Sequence, residues 1–255
     1  MEPNVRPNCC FSINRRVLLA AVATLALLCA PILPGAVLAQ APTAADALPS
    51  WNDGAAKQAI VDFVKATTDP SSPSFVPPEE RIATFDQDGT LWVEHPICSQ
   101  VVYCLDRVPA LVKAKPELAE AKKWTEEAKD GRWKRPYPEL TYQPMQEVLS
   151  YLRANGFTTY IVTGGGQDFV RVYSERVYGI PPEQVVGTAG GTKYSYDKDG
   201  KPILTKEPKL LLNDNDAGKP EGIHLMIGRR PVAAFGNSTG DDRCWNIPGP
   251  ATDCG

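Results

Sequence analysis

Two aspartates, Asp86 and Asp88, stand where a short apolar strand ends. Residues Ile82 to Phe85 predict a buried β-strand, and the chain runs directly on as Asp-Gln-Asp-Gly-Thr. Buried like charges raise each other's pKa unless a cation or hydrogen bonds compensate them. Because ligands bind at the carboxyl ends of strands in open α/β sheets, the pair predicts a nucleophile, Asp86, beside an acid/base group, Asp88.

An ordinary acidic turn is the alternative interpretation of this pair. The segment Asp197-Lys-Asp199-Gly200 has the same spacing of aspartates and glycine. It stands between two short strand-like segments and predicts a hairpin turn instead. The first pair therefore gains its meaning from the motifs that follow it along the chain.

A glycine-rich turn follows a second predicted strand. Phe157 to Val162 is apolar and β-branched, Thr163-Gly-Gly-Gly166 comes next, and residues 167–178 predict a helix. A strand, a glycine-rich turn and a helix N-terminus together form an anion site, because unpaired N–H groups converge there. A plain tight turn between strand and helix is the alternative.

A lysine and a polar loop complete the set. Pro231 to Phe235 predicts a further strand, which ends in Gly236-Asn-Ser-Thr-Gly-Asp-Asp242. Lys219 begins a predicted helix between the second strand and this loop. Taken alone, Lys219 would be a solvated surface charge. Its position between two polar strand ends makes it a candidate for neutralising a bound phosphate.

Composition and charge exclude several classes of protein. The 255 residues contain 43% hydrophobic and 22% charged residues, as globular chains do, and carry a net charge of −3. A nucleic-acid binder would normally present a basic face. The chain has only two histidines, His95 and His224, which disfavours a histidine-rich zinc site and a Ser-His-Asp hydrolase.

Residues 1–39 predict a secretory signal peptide. Three arginines precede an apolar run from Val17 to Ala30, and Val37-Leu-Ala39 offers small residues for cleavage after Ala39. The apolar run is short for a membrane anchor, and prolines interrupt its tail. We therefore expect an exported protein, periplasmic or secreted, with no membrane attachment after cleavage. Export through the general or the twin-arginine route stays open, as does pairing among Cys98, Cys104, Cys244 and Cys254.

In this order, the motifs resemble those of the haloacid dehalogenase superfamily, and within it the phosphoserine-phosphatase-like branch. The resemblance covers roughly Ile82 to Asp242 and consists of Asp-x-Asp-Gly-Thr, an apolar strand ending in Thr-Gly, a lysine, and Gly-Asn-Ser-x-x-Asp. It implies an α/β fold, a three-layer Rossmann-like parallel sheet with a helical cap inserted after the first core strand. The implied division of the chain is a signal peptide at 1–39, an N-terminal helix and proline-rich linker at 40–80, the core at 81–93 and 143–243, the helical cap at 94–142, and an aberrant tail at 244–255.

The resemblance also implies Mg²⁺-dependent hydrolysis of a small phosphomonoester through an aspartyl-phosphate. Asp86 would be the nucleophile and a metal ligand, and Asp88 the acid/base group, bound to the metal through its backbone carbonyl. Thr163 and the N–H of Gly164 would hold phosphoryl oxygens that Lys219 neutralises. A halide leaving group needs no proton, so a carboxylate at Asp88 favours a phosphatase over a dehalogenase.

Two departures from the family pattern concern the metal shell and the tail. Asn237, expected to complete the metal shell with Asp241, replaces an aspartate that many relatives have, so the metal would be held by one charge fewer. Relatives continue with a helix and a strand where this chain has Cys244 to Gly255. We interpret this tail as a frameshift product, with a naturally short Gly/Pro tail as the alternative. An inactive or phosphate-binding protein of the same fold is the alternative function.

Overall fold

The computed structural model describes residues 48–111 and 118–244. The predicted signal peptide lies outside this range, as does the predicted tail apart from its first residue, Cys244. Within the described ranges, no helix combines the length and the apolar character that crossing a membrane requires. Cys98, Cys104 and Cys244 are free thiols.

Five strands form one sheet in the order β4-β3-β2-β1-β5. The strands are β1 (Ile82–Phe85), β2 (Thr158–Gly166), β3 (Val185–Tyr196), β4 (Pro202–Leu212) and β5 (Ala233–Phe235). The pairs β1–β2, β1–β5 and β2–β3 are parallel, and β3–β4 is antiparallel. The predicted α/β class with a mostly parallel sheet is confirmed.

Helices connect the strands and flank the sheet. They are α1 (Ala55–Thr68), α2 (Ser99–Leu111), α3 (Leu118–Glu127), α4 (Gln143–Ala154), α5 (Gln167–Arg171), α6 (Ser174–Tyr178) and α7 (Gly218–Gly222). A π-helical turn, Ile223–Ile227, continues α7. Helices α2 and α3 lie in the connection between β1 and β2, where the helical cap was expected; its boundaries at 94 and 142 stay a prediction.

The core forms because apolar residues recur along each helix and strand at positions that face the interior. All four residues of β1 are buried, as expected of a central strand covered on both faces. Helix α1 buries Ile60, Val61 and Val64 along one stripe, and its Phe63 ring lies 6.0 Å from that of Phe157. The helix begins after Gly54 without a side-chain cap.

The predicted helix over residues 167–178 is in fact two short helices, α5 and α6. Tyr173 has the non-helical angles φ −130° and ψ −9°, which end one helix and begin the next. Its ring stacks on Trp92 at 4.9 Å, and its hydroxyl accepts a hydrogen bond from Gln87 Nε2 at 2.5 Å. These buried contacts outweigh the helical periodicity of the segment.

Strand β3, which is 12 residues long, takes part in both the parallel and the antiparallel section of the sheet. Its first residues pair with β2, and the rest continues beyond the parallel part of the sheet to pair with β4 in a hairpin. The turn at Asp197 to Gly200 is the one the sequence predicted, with Asp197 accepting hydrogen bonds from the N–H groups of Asp199 and Lys201. At the base of this hairpin, Lys206 forms an ion pair with Asp168 of α5.

Candidate active site

The ends of β1, β2 and β5 bring the predicted motifs to one edge of the sheet. Phe85 is in register with Ile161 of β2 and with Phe235 of β5, and all three strands run in the same direction. The Asp86 N–H donates to the carbonyl of Phe235 at 2.9 Å. The residues that follow the three strands therefore lie next to one another.

Lys219 is the buried cation at the centre of this edge. Its side chain is 4% exposed, and its Nζ donates to Asp86 Oδ1 at 2.7 Å and to the carbonyl of Val162 at 3.3 Å. The same Nζ contacts Asp241 Oδ1. The contact excludes the alternative that Lys219 is a solvated surface charge.

Burial and the neighbouring charges shift the pKa values of Asp86 and Lys219. Burial raises the pKa of Asp86 to about 6, against the charge of Lys219, which lowers it, while the charge of Asp241 adds to the rise. Burial alone would lower the pKa of Lys219, but its two carboxylate partners hold that pKa above the ordinary value. Lys219 is therefore a permanent positive charge, and Asp86 is largely ionised at neutral pH.

Asp241 shapes the last motif as well as pairing with the lysine. Its Oδ2 accepts hydrogen bonds from the Asn237 N–H at 3.1 Å and from the Ser238 N–H and hydroxyl at 2.9 and 3.0 Å. A Cβ at Gly236 would lie 2.3 Å from the Cβ of Asp241. This close approach explains why the loop after β5 begins with glycine.

Asn237 lies over the first motif. Its Oδ1 accepts from the Thr90 hydroxyl at 3.3 Å, and its Nδ2 donates to Glu94 Oε1 at 3.2 Å. Gly89 has a φ of +83°, and a Cβ there would lie 2.1 Å from Asn237 Nδ2. The glycine of the first motif thus provides both the left-handed turn and the space that the asparagine amide occupies.

Asp88 faces the glycine-rich turn, on the same side as Asp86. Its Oδ1 accepts a hydrogen bond from Trp92 Nε1 at 2.7 Å. A Cβ placed on Gly165 would lie 3.9 Å from Asp88 Oδ2 and 3.3 Å from Thr163 Oγ1. Burial raises the pKa of Asp88 above its ordinary value, against the hydrogen bond from Trp92, which lowers it, and the charge of Glu94 adds to the rise.

Thr163 to Gly166, predicted as a turn after the strand, are in fact the irregular last part of β2, whose register against β3 shifts between Thr163 and Gly166. This segment, which keeps the name glycine-rich turn, holds Thr163 and Gly164 beside the carboxylates. Thr163 is buried, and its Oγ1 accepts a hydrogen bond from the Gly165 N–H at 3.0 Å. Gly164 is exposed, and its carbonyl accepts a hydrogen bond from Thr188 of β3 at 2.8 Å. Thr188 Oγ1 also accepts from the Asp214 N–H at 3.2 Å, which links this turn to the loop before Lys219.

Three side chains at this edge were not predicted from the sequence. Glu94 orients Asn237, Thr188 joins two loops, and Gln100 of α2 accepts the Gly166 N–H at 2.6 Å. None belongs to a motif. The contacts of Gln100 and Thr188 join residues 66 and 24 positions apart, so only the folded chain shows them.

The donor set at this edge fits Mg²⁺ better than a transition metal. Within the described ranges, no group of three or more His, Cys, Asp or Glu side chains could hold a metal. The Asp86 carboxylate, the Asn237 amide and the Asp88 carbonyl are hard oxygen donors, and Mg²⁺ binds through one or two carboxylates while keeping several waters. Asp241 differs from these, because both of its oxygens already accept hydrogen bonds.

The loop after β5 also has the Gly-x-Ser-x-Gly spacing of a serine hydrolase, at residues 236–240. The Ser238 hydroxyl, however, donates to Asp241. His95 Nε2 lies 3.4 Å from Glu94 Oε1, and His224 belongs to the π-helical turn. The geometry therefore assigns Ser238 to loop structure.

Comparison with known proteins gives structural neighbours only. No family model and no curated protein matches the chain. A phosphoserine phosphohydrolase-like protein from Francisella tularensis subsp. tularensis SCHU S4 has a TM-score of 0.39 and 16% identity, over 65% of this chain and 82% of that one. A functionally unknown protein from Anaerococcus prevotii DSM 20548 has a TM-score of 0.41 and 13% identity, over 71% and 78%. A HAD family hydrolase from Salmonella enterica subsp. enterica serovar Typhi has a TM-score of 0.36 and 15% identity, over 66% and 60%.

All three TM-scores are below 0.5. What the chain does is therefore inferred from the arrangement of its own residues.

Proposed function

We propose that this chain is a phosphatase of the haloacid dehalogenase superfamily, exported from the cytoplasm, which hydrolyses a small phosphomonoester with the help of Mg²⁺. The observation that carries the proposal is the buried contact of one lysine, Lys219, with two carboxylates, Asp86 and Asp241, at the carboxyl edge of the sheet. A carboxylate attacks a phosphate dianion only where positive charge cancels their repulsion. Lys219 supplies such a charge beside the candidate nucleophile.

The reaction has two steps on the same carboxylate. In the first, an Asp86 oxygen attacks phosphorus, the ester P–O bond breaks, and the leaving alkoxide takes the proton of Asp88. In the second, Asp88 takes a proton from water, the water oxygen attacks phosphorus, and Asp86 leaves as a carboxylate with release of inorganic phosphate. The raised pKa of Asp88 supports its role as the proton donor of the first step.

The remaining residues bind and orient the phosphate. The Thr163 hydroxyl and the Gly164 N–H hold phosphoryl oxygens, and Lys219 neutralises the charge on them. Held by Asp86, the carbonyl of Asp88 and Asn237, Mg²⁺ would supply further positive charge at the phosphoryl group. Asp241, expected from the sequence as a further ligand, instead has both oxygens engaged by Lys219 and by the loop of Asn237. Asp241 holds Lys219 and the loop of Asn237 in place.

Export and the absence of macromolecular partners complete the proposal. The pattern of residues 1–39 supports export, and the net charge of −3 fits a small-molecule substrate better than a nucleic acid. We expect no membrane attachment once the signal peptide is cleaved. A small phosphorylated compound is the expected partner.

Phosphate release from a panel of phosphomonoesters tests the proposal. The purified mature protein should release inorganic phosphate in the presence of MgCl₂ and lose this activity in excess EDTA. Chloroacetate in the same buffer should give no halide release, since Asp88 serves an alkoxide leaving group. No phosphate release from any ester with Mg²⁺ present, together with measurable binding of phosphate by calorimetry, would instead establish the non-catalytic alternative.

A further inference from the structure

Gln100 is a residue of the segment between β1 and β2 that reaches the glycine-rich turn. It is the second residue of α2, and its Oε1 accepts the Gly166 N–H at 2.6 Å. A Cβ on Gly166 would lie 2.4 Å from Gln100 Nε2. Gly166 itself has the ordinary angles φ −67° and ψ 120°, so the close approach of Gln100 accounts for a glycine here.

The amide of Gln100 lies on the side of the site where Asp88 stands. A Cβ on Gly165 would be 3.2 Å from Gln100 Oε1, 3.3 Å from Thr163 Oγ1 and 3.9 Å from Asp88 Oδ2. The three oxygens thus surround one small volume. Asp88 gives its proton to the leaving alkoxide in the proposed reaction, so Gln100 is placed beside the departing alcohol.

Gln100 retains hydrogen-bonding capacity in this position. Its Oε1 is taken by Gly166, while its Nε2 carries two N–H donors. We find no acceptor for them among residues 48–111 and 118–244. A partly buried amide nitrogen at the edge of a ligand site is a donor for an oxygen on the bound molecule.

The charges around this side of the site are negative. Cys98, two residues before Gln100, has its pKa raised by burial and then by the charges of Asp88, Glu94 and Asp86. Asp88 keeps its proton until the alkoxide departs and Asp86 is paired with Lys219, so Glu94 is the carboxylate that would repel a leaving group carrying a carboxylate of its own. A neutral alcohol with further hydroxyl groups would meet no such repulsion and could accept a hydrogen bond from the amide.

We propose that Gln100 is a specificity-determining residue that donates a hydrogen bond from Nε2 to a hydroxyl of the leaving alcohol. The substrate class is then the phosphate monoesters of neutral polyhydroxy alcohols. This inference rests on the proposed phosphatase function. It adds to that function a substrate class and a residue outside the family motifs.

The test compares three esters that differ in the leaving group. Glycerol 3-phosphate carries neutral hydroxyls, 3-phosphoglycerate carries a carboxylate on the same carbon skeleton, and propyl phosphate has the same chain length with no further hydroxyl. We expect the wild-type protein with Mg²⁺ to show a kcat/KM for glycerol 3-phosphate at least about tenfold above that for 3-phosphoglycerate. The reverse order would overturn the inference, whereas turnover of none of the three, nor of a wider panel, would overturn the phosphatase function and the inference with it.

Two variants separate contact with the substrate from attachment of α2 to the turn. Gln100→Glu keeps the acceptor for the Gly166 N–H but removes the donors, and Gln100→Leu removes both. We expect both to lower the ratio of kcat/KM for glycerol 3-phosphate over propyl phosphate about 10- to 100-fold. Gln58→Leu changes an exposed helical glutamine whose side chain donates to Asp62 at 2.8 Å, far from the site in the chain, and it should leave the ratio unchanged.

The ratio distinguishes the outcomes because it cancels general losses of activity. If Gln100 only attaches α2 to the turn, Gln100→Glu keeps the wild-type ratio, and Gln100→Leu lowers turnover of both esters equally. Either result would overturn the inference while leaving the phosphatase function standing. The midpoint of thermal unfolding, measured for each variant, shows that the comparison is made on folded protein.

Discussion

The Nζ of Lys219 lies 2.7 Å from Asp86 Oδ1, although the two residues are 133 positions apart in the chain. With its second contact to Asp241, this lysine joins the end of β1 to the loop after β5. All three side chains are buried or nearly so. Their exposed fractions are 4% for Lys219, 11% for Asp86 and 2% for Asp241. The group is therefore structural as well as a candidate for chemistry.

Replacing the lysine should strongly destabilise the protein. Lys219→Met leaves two buried carboxylates without a cation, and breaking a buried ion pair costs about 3–5 kcal/mol. Urea denaturation at pH 7 measures this loss of unfolding free energy. The control Lys123→Met removes an exposed pair with Glu127, which contributes at most about 1 kcal/mol. Equal effects of the two substitutions would contradict a central role for Lys219 in the fold.

Asp86→Asn should abolish phosphate release without unfolding the protein. The amide keeps the shape of the side chain but cannot attack phosphorus, so we expect a loss in kcat of at least about a thousandfold. Asp197→Asn is a matched control, because it alters the same Asp-x-Asp-Gly spacing in the hairpin turn and should leave kcat unchanged. An Asp86→Asn protein that keeps a tenth of the wild-type rate would exclude Asp86 as the nucleophile.

The metal shell is tested at Asn237 and Glu94. Asn237→Asp adds an anionic oxygen, which hard cations favour, but it also places a carboxylate against Glu94 Oε1, which the present Nδ2 contacts at 3.2 Å. The variant should therefore be less stable than wild type without metal and gain more from Mg²⁺. Thermal unfolding with and without MgCl₂ measures both effects.

Adding Glu94→Gln to Asn237→Asp should restore the stability of the metal-free protein, because the repulsion is removed. The larger Mg²⁺-induced rise in the unfolding midpoint should persist in the double variant. A midpoint that Mg²⁺ raises no more than in wild type would show that Asn237 is not a metal ligand.

How much of this site the sequence reveals depends on how each residue is held. Four of the predicted residues lie at or just after the carboxyl ends of strands: Asp86, Asp88, Thr163 and Asn237. Parallel strands bring these ends to one edge of the sheet, so the motifs alone predicted that the four residues lie close together. Gln100, by contrast, contacts Gly166 from α2. A single glutamine belongs to no sequence motif, so the sequence did not predict this contact. The break at Tyr173 was likewise not predicted, because the apolar periodicity of the segment favours one continuous helix. The break follows from buried contacts of the Tyr173 ring with Trp92 and of its hydroxyl with Gln87.

Asp214, which precedes Lys219 by five residues, makes stability depend on pH. It is 0% exposed, and burial raises its pKa to about 8, against the charge of Lys219 and the Thr163 backbone, which lower it. Its native pKa lies above the unfolded value of 3.8, so the folded protein binds this proton more tightly. The resulting stabilisation is complete below pH 3.8 and is lost as pH rises toward 8.

The substitution Asp214→Asn should remove this loss. Since the amide does not ionise, the stability of the variant relative to wild type should increase between pH 5 and pH 9, by roughly 4 kcal/mol as an order of magnitude. Urea denaturation at the two pH values provides the measurement. If the difference in unfolding free energy between the variant and wild type were the same at both pH values, Asp214 would not titrate in this range.

The space shared by Gly89 and Asn237 has a consequence for how this sequence can diverge. Any side chain at position 89 would meet both a backbone angle it rarely adopts and the amide of a residue 148 positions away. A single substitution at position 89 therefore disturbs both the first and the last motif. A second substitution at position 237 would not remove the steric clash if it kept a side chain of similar size. The first motif and the last therefore depend on each other through the space that Gly89 leaves for the amide of Asn237.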